Sequence, residues 1–173
     1  PLSALDAVLR DDLRNMLGLL TKELNLTSVY VTHDQSEAMA ISDRIFVMKD
    51  GLILQSGPPE EIYNKPNCLF VADFVGKANF ITSREGDHAQ EEQKMFRPER
   101  LRAKKDRDDD LEFEGKVRNV AYVGDRYEVV LDVDGKTWMS YLDYRPNQGE
   151  NMKVYLAPKD VHVIKNAEGG CAE

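Results

Sequence analysis

His33 closes the segment "SVYVTH" (28–33) and stands directly before "DQSEAMA" (34–40), so an imidazole lies where a β-branched run gives way to a helical pattern. Taken alone, a histidine here is more often a satisfied group at a strand end than a ligand contact. Open α/β sheets nonetheless bind ligands at the carboxyl ends of their strands, which makes His33 a candidate contact. Asp34 and Gln35 follow it in the chain. Near the start, "SALD" (3–6) offers Ser3 and Asp6. They read either as a helix cap with Asp6 reaching back, or as a functional loop at a subunit contact. Cys68 and Cys171 are too few for a disulfide framework and lack zinc-type spacing, so free thiols are expected.

The elements that must position these residues change character once, near 76–79. Before that point Leu5, Val8, Leu9, Leu13, Met16, Leu17, Leu20 and Leu24 recur at helical spacing and predict an amphipathic helix over 3–24. "SVYVT" (28–32) predicts a short buried strand, and Asp34 with Glu37 predicts a capping box opening the next helix. "RIFVMKDGLILQ" (44–55) reads as two strands turned by Asp50-Gly51. "SGPPEEIYNKP" then predicts a helix entered through proline and ended by Pro66, and "CLFVADFV" a last one before Gly76.

After Asn79 the period is two. Leu111, Phe113 and Val117, then Tyr127, Val129, Leu131 and Val133, alternate on either side of polar residues, with Asp134-Gly135 as a turn. Lys136 to Leu142, then Met152, Val154 and Leu156, and finally Val161 and Val163 continue the pattern. Many short strands without a long helix predict a small closed or partly closed β-barrel. The run "RAKKDRDDD" (102–110) reads as a solvated loop. The expected organisation is therefore an α/β part over 1–78, an all-β barrel over 79–165 and a tail over 166–173.

Composition agrees with folded domains. Of 173 residues, 42% are hydrophobic and 31% charged, and the formal net charge is −8. The acidic balance weighs against a general binder of phosphate backbones, whose footprint is basic. No apolar run approaches the roughly 20 residues that a bilayer-spanning helix needs.

Taken in order, "PLSALDA", the strand ending in "TH", "DQSEAMAISDRIFVMKDG" and "SGPPEEIYNKP" resemble the carboxyl-terminal part of the nucleotide-binding subunit of bacterial ATP-binding cassette importers. The β-rich remainder resembles the transport-associated OB-type domain of the subfamily that imports polyamines, iron(III), sulfate or sugars. Within it "FRPERL" (96–101) is similar to that domain's opening arginine-proline-acidic stretch. The resemblance implies that His33 contacts the γ-phosphate of ATP and that Ser3 and Asp6 belong to the D-loop facing a second nucleotide-binding subunit. It also implies transmembrane permease partners, indirectly a solute-binding protein, and a place on the inner face of the cytoplasmic membrane.

The sequence contains no GxxxxGK[ST] phosphate loop, no LSGGQ-type signature and no Walker B strand. The resemblance therefore implies an amino-terminally truncated chain, inactive alone, without bound ATP or Mg of its own, and prone to self-association through its uncovered first half. Two rival readings come from other classes. One is a single-strand nucleic-acid binder using Phe113, Tyr122, Tyr127, Trp138, Tyr141 and Tyr144 as stacking platforms, although Lys/Arg and Asp/Glu nearly balance over 79–165. The other is a regulatory module binding a small solute or partner through the barrel.

Overall fold

The computed structural model describes residues 7–83 and 92–164, which divide into two compact units between Tyr63 and Asn64. In the first unit, helix α1 (Ala7–Glu23) is followed by an irregular stretch, helix α2 (Gln35–Ile41), strands β1 (Ile45–Lys49) and β2 (Leu52–Gly57), and helix α3 (Pro59–Asn64). The β1–β2 hairpin turns where the sequence predicts, because Asp50 and Gly51 both take positive φ, 51° and 82°, as a tight two-residue turn demands. Ile45 and Val47 are buried on one face of the hairpin, while Phe46 and Met48 stand exposed on the other.

The expected buried strand at 28–32 is not formed. Val29 and Val31 are 91% and 82% exposed, and the described residues contain no strand that pairs with this segment. A strand needs a neighbour for its backbone groups, and without one the alternation sorts differently: the two valines face out, and Tyr30 and Thr32 bond to Glu37. An α/β sheet is thus absent among the described residues of this unit, whose strands form only the antiparallel β1–β2 pair.

The second unit opens with helix α4 (Leu69–Phe74) and continues as strands β3 (Asn79–Ser83), β4 (Glu92–Phe96), β5 (Leu111–Tyr122), β6 (Tyr127–Val133), β7 (Lys136–Leu142), β8 (Asn151–Leu156) and β9 (His162–Ile164). They form two antiparallel sheets, β3-β4-β9 and β7-β6-β5-β8. The predicted alternation sets the core: Val129, Leu131 and Val133 from β6, Trp138 and Leu142 from β7, and Val154 and Leu156 from β8 meet Phe96, Leu101 and Val117. Each large apolar side chain so enclosed is worth about 1.5–3 kcal/mol. Gly115 in β5 is required by the same packing, since a Cβ there would lie 2.8 Å from Cγ2 of Val133.

Side chains join what the ladders leave apart. The buried Asn79 amide donates from Nδ2 to the Met139 carbonyl and accepts from the Met139 N–H, both at 2.7 Å, so it imitates a strand neighbour between β3 and β7. Trp138 donates from Nε1 to the Phe80 carbonyl at 3.1 Å and packs edge-on against Phe96 and Phe113. The predicted barrel is therefore two open sheets closed in part by side-chain bonds.

Arg97 follows β4 and is 2% exposed. Its Nη1 donates to the carbonyls of Ala72, Gly76 and Lys77, each at 2.9 Å. Two N–H vectors serve three acceptors, and they satisfy carbonyls at the end of α4 that the helix cannot bond itself. Beside it, Ala72 packs with Met95 and Ile164. For this reason the compact unit starts earlier than the change in sequence texture near 76–79.

The loop 102–110 is exposed from Lys104 to Asp109, as its composition predicts, but its ends are tied. Asp110 accepts from Arg102 Nη2 at 2.8 Å and from the backbone N–H groups of Asp106 and Arg107. Cys68 is disulfide-bonded, which corrects the expectation of a free thiol there; Cys171 lies outside the described residues. Burial beside α4 does not by itself keep a thiol reduced. Among the described residues no helix is long and apolar enough to cross a membrane.

Two outcomes follow from these contacts. Replacing Arg97 by Met should lower stability by about 3 kcal/mol, because three carbonyls lose a charged donor; urea unfolding followed through the single Trp138 checks it, and an unchanged midpoint would contradict the role. Burial pushes the Asp110 carboxyl up, yet the Asp106 and Arg107 N–H groups and the Arg102 guanidinium outweigh that and hold it below the usual carboxylate range. A carboxyl depressed in the folded state stabilises fully above its unfolded value, about 3.9, and ceases to as pH falls through the lower folded value. The stability gap between wild type and Asp110→Asn should therefore narrow as pH drops below about 4, read from urea midpoints at several pH values.

Candidate functional site

The bend that carries His33 is built by its neighbours. Asp34 is the N-cap of α2, with extended backbone (φ −89°, ψ 112°), and its Oδ1 accepts the Glu37 N–H at 3.1 Å. Ser36 Oγ donates to the same oxygen. On the other side of His33, the Thr32 hydroxyl accepts the Asp34 N–H at 2.9 Å and donates to Glu37 Oε2 at 2.8 Å. Tyr30 donates its hydroxyl to that same Oε2 at 2.9 Å. The predicted pairing of Asp34 with Glu37 is thus present, with the Thr32 hydroxyl relaying between the Glu37 carboxylate and the Asp34 backbone.

His33 itself is exposed, between two residues whose backbones are held. The arrangement presents an imidazole to solvent at a fixed place on a bend, ready to donate or accept a proton or to meet an anion. The Asp34 and Glu37 N–H groups at the start of α2 have their acceptors in the Thr32 hydroxyl and the Asp34 carboxylate. Asp34 serves as cap, and Gln35 is the exposed first residue of α2. Ser3 and Asp6 lie outside the described residues. No group of three or more His, Cys, Asp or Glu side chains among the described residues is placed to hold a metal ion.

The second unit carries an open cleft of about 260 Å³, smaller than a pocket for a drug-sized ligand. Arg97, Arg100, Lys159 and His162 are among the residues that line it. His162 Nε2 lies 2.9 Å from the Pro66 carbonyl, which can only accept, so Nε2 carries the proton. The aromatic residues proposed as stacking platforms are divided in use. Trp138 and Phe113 pack in or against the core, Tyr127 packs with Tyr122, and Arg126 lies over the ring of Tyr141 at 5.4 Å. Tyr122 and Tyr144 are exposed.

Residues 95–164, the sheets just described from the end of β4 through β9, match the TOBE domain family. The match begins at Met95, so Arg97 lies at its start and ties it to α4. Over 181 residues the whole chain is 35% identical to the spermidine/putrescine import ATP-binding protein PotA of Borreliella afzelii, covering 95% of this chain and 52% of that protein. The protein of the same name from Acetivibrio thermocellus is 35% identical over 190 residues, covering 97% and 53%. That from Clostridium novyi is 33% identical over 184 residues, covering 95% and 52%. The chain spans about half the length of the curated relatives it matches. The resemblance to importer ATP-binding subunits therefore extends on both sides of the TOBE domain boundary and includes the His33 bend.

Two functional features were beyond sequence reasoning. Glu37 reads as a capping residue, and nothing in its local pattern predicts that Tyr30 and Thr32 converge on it. Arg97 stands inside the quoted "FRPERL" stretch, yet only its burial reveals that it serves α4.

The N-cap yields a direct test. Asp34→Ala should destabilise α2 by about 1 kcal/mol. Amide hydrogen exchange at Glu37 should accelerate accordingly, while exchange in the β6 core stays unchanged; equal protection at Glu37 in both proteins would deny Asp34 its capping role.

Proposed function

We propose that this chain belongs to the ATP-binding subunit of an ATP-binding cassette importer of the polyamine type. Residues 1–78 are then the carboxyl-terminal part of the nucleotide-binding domain, 79–165 the transport-associated domain and 166–173 a tail. The observation that carries this reading is the identity to spermidine/putrescine import ATP-binding proteins across 95% of the chain, together with an exposed histidine on a pinned bend within it.

In this reading His33 donates a hydrogen bond to a γ-phosphate oxygen, where negative charge redistributes during transfer. Phosphoryl transfer depends mainly on positioning and on charge stabilisation, so one preorganised donor contributes strongly. ATP with Mg supplies the reacting phosphate and its neutralising charge, and the residues that cradle them lie in the half of the relatives that this chain does not match. Ser3 and Asp6 face a second copy of the subunit, permease subunits anchor the pair at the cytoplasmic face of the membrane, and a solute-binding protein delivers the cargo. Residues 1–173 by themselves hydrolyse no ATP, and their first unit associates with another copy through the exposed apolar residues Met16, Leu20, Val29 and Val31.

The test uses a subunit in which this chain is preceded by the half its relatives possess. His33→Ala should lower ATP turnover by roughly two orders of magnitude, with nucleotide affinity falling far less. Unchanged turnover, or Mg-dependent hydrolysis by residues 1–173 alone, would overturn the reading.

A further inference from the structure

Glu37 is 3% exposed in a segment whose other acidic side chains face water or cap a helix. A buried carboxylate is costly unless donors meet it, and here two hydroxyls do, from Tyr30 and Thr32 at 2.9 and 2.8 Å on one oxygen. Thr32 then accepts the Asp34 N–H, and Asp34 accepts the Glu37 N–H. The bonds form a closed ring through residues 32, 34 and 37. His33 is the residue that the ring encloses in the chain, and its side chain is exposed.

The geometry points to Glu37 as the positioning residue that sets where the His33 imidazole stands. Its carboxylate fixes the Thr32 side chain, the Thr32 hydroxyl fixes the Asp34 backbone, and His33 is the single residue between those two anchors. Glu37 does not reach the reacting atoms in this scheme; it acts only through His33. This inference rests on the reading of His33 given above, and it adds a residue that a helix-cap interpretation of the sequence would leave on the surface.

Two measurements separate its failure from failure of that reading. In residues 1–173, Glu37→Ala should speed amide exchange at Asp34 by about tenfold, the loss of roughly 1.4 kcal/mol of local order, while Glu37→Gln, which keeps an acceptor oxygen, restores most of the protection. In the subunit carrying the upstream half, Glu37→Ala should cut turnover about 10- to 100-fold with little change in nucleotide affinity, the scale expected when a reacting group is misplaced by about 1 Å. Glu37→Gln should recover it to within about threefold, and Glu37→Ala combined with His33→Ala should be no slower than His33→Ala alone, since groups that act as one unit are not additive. Additive losses, full turnover in Glu37→Ala, or loss of helix signal in Glu37→Gln would overturn the positioning role while leaving the His33 reading intact. Full turnover in His33→Ala would overturn both.

Discussion

Arg97 is the constraint on which the second unit depends. A guanidinium taken out of water must find acceptors, and the ones available are the carbonyls of Ala72, Gly76 and Lys77, where α4 ends and the chain enters β3. Helix ends leave carbonyls unbonded and carry partial negative charge, so one arginine satisfies both needs. Its three bonds tie the helix end to the residue that follows β4. With that point held, Ala72 comes onto Met95 and Ile164, and Asn79 is set to pair with Met139.

The first unit uses the opposite economy. Its apolar residues are largely exposed, from Met16 and Leu20 to Val29, Val31 and Phe46, so its local order rests on hydrogen bonds more than on burial. The ring through Thr32, Asp34 and Glu37 supplies that order where His33 needs it. A short network of carboxylate and hydroxyl groups can hold a bend in place without a core, because each bond fixes one neighbour of the residue between them.

The two units differ in what holds them: the first presents an exposed histidine on a hydrogen-bonded bend, and the second is a β platform with a packed core. The sheets of the second unit bury Val129, Leu131, Val154 and Leu156 completely, and its ion pairs, such as Lys77 with Glu128 and Lys153 with Glu112, lie at the surface where each adds little. Its stability thus comes from packing and from the buried hydrogen bonds of Asn79, Arg97 and Ser140.

Local patterns were legible in the sequence because their causes are local. Asp50-Gly51 and Asp134-Gly135 turn because those residues tolerate positive φ, and β6, β7 and β8 bury alternate residues because side chains on a strand alternate. His33 could be picked out for the same reason, from its neighbours in the chain. The strand expected at 28–32 was misread, since β-branched residues make a strand only when another strand lies beside them. The buried ends of Arg97 and Glu37, the disulfide at Cys68 and the Asn79 bridge were decided by tertiary structure alone. Whether a charged or polar group is buried depends on acceptors and donors brought from elsewhere in the chain, up to 60 residues away in the case of Asn79 and Met139, and no local period records their arrival.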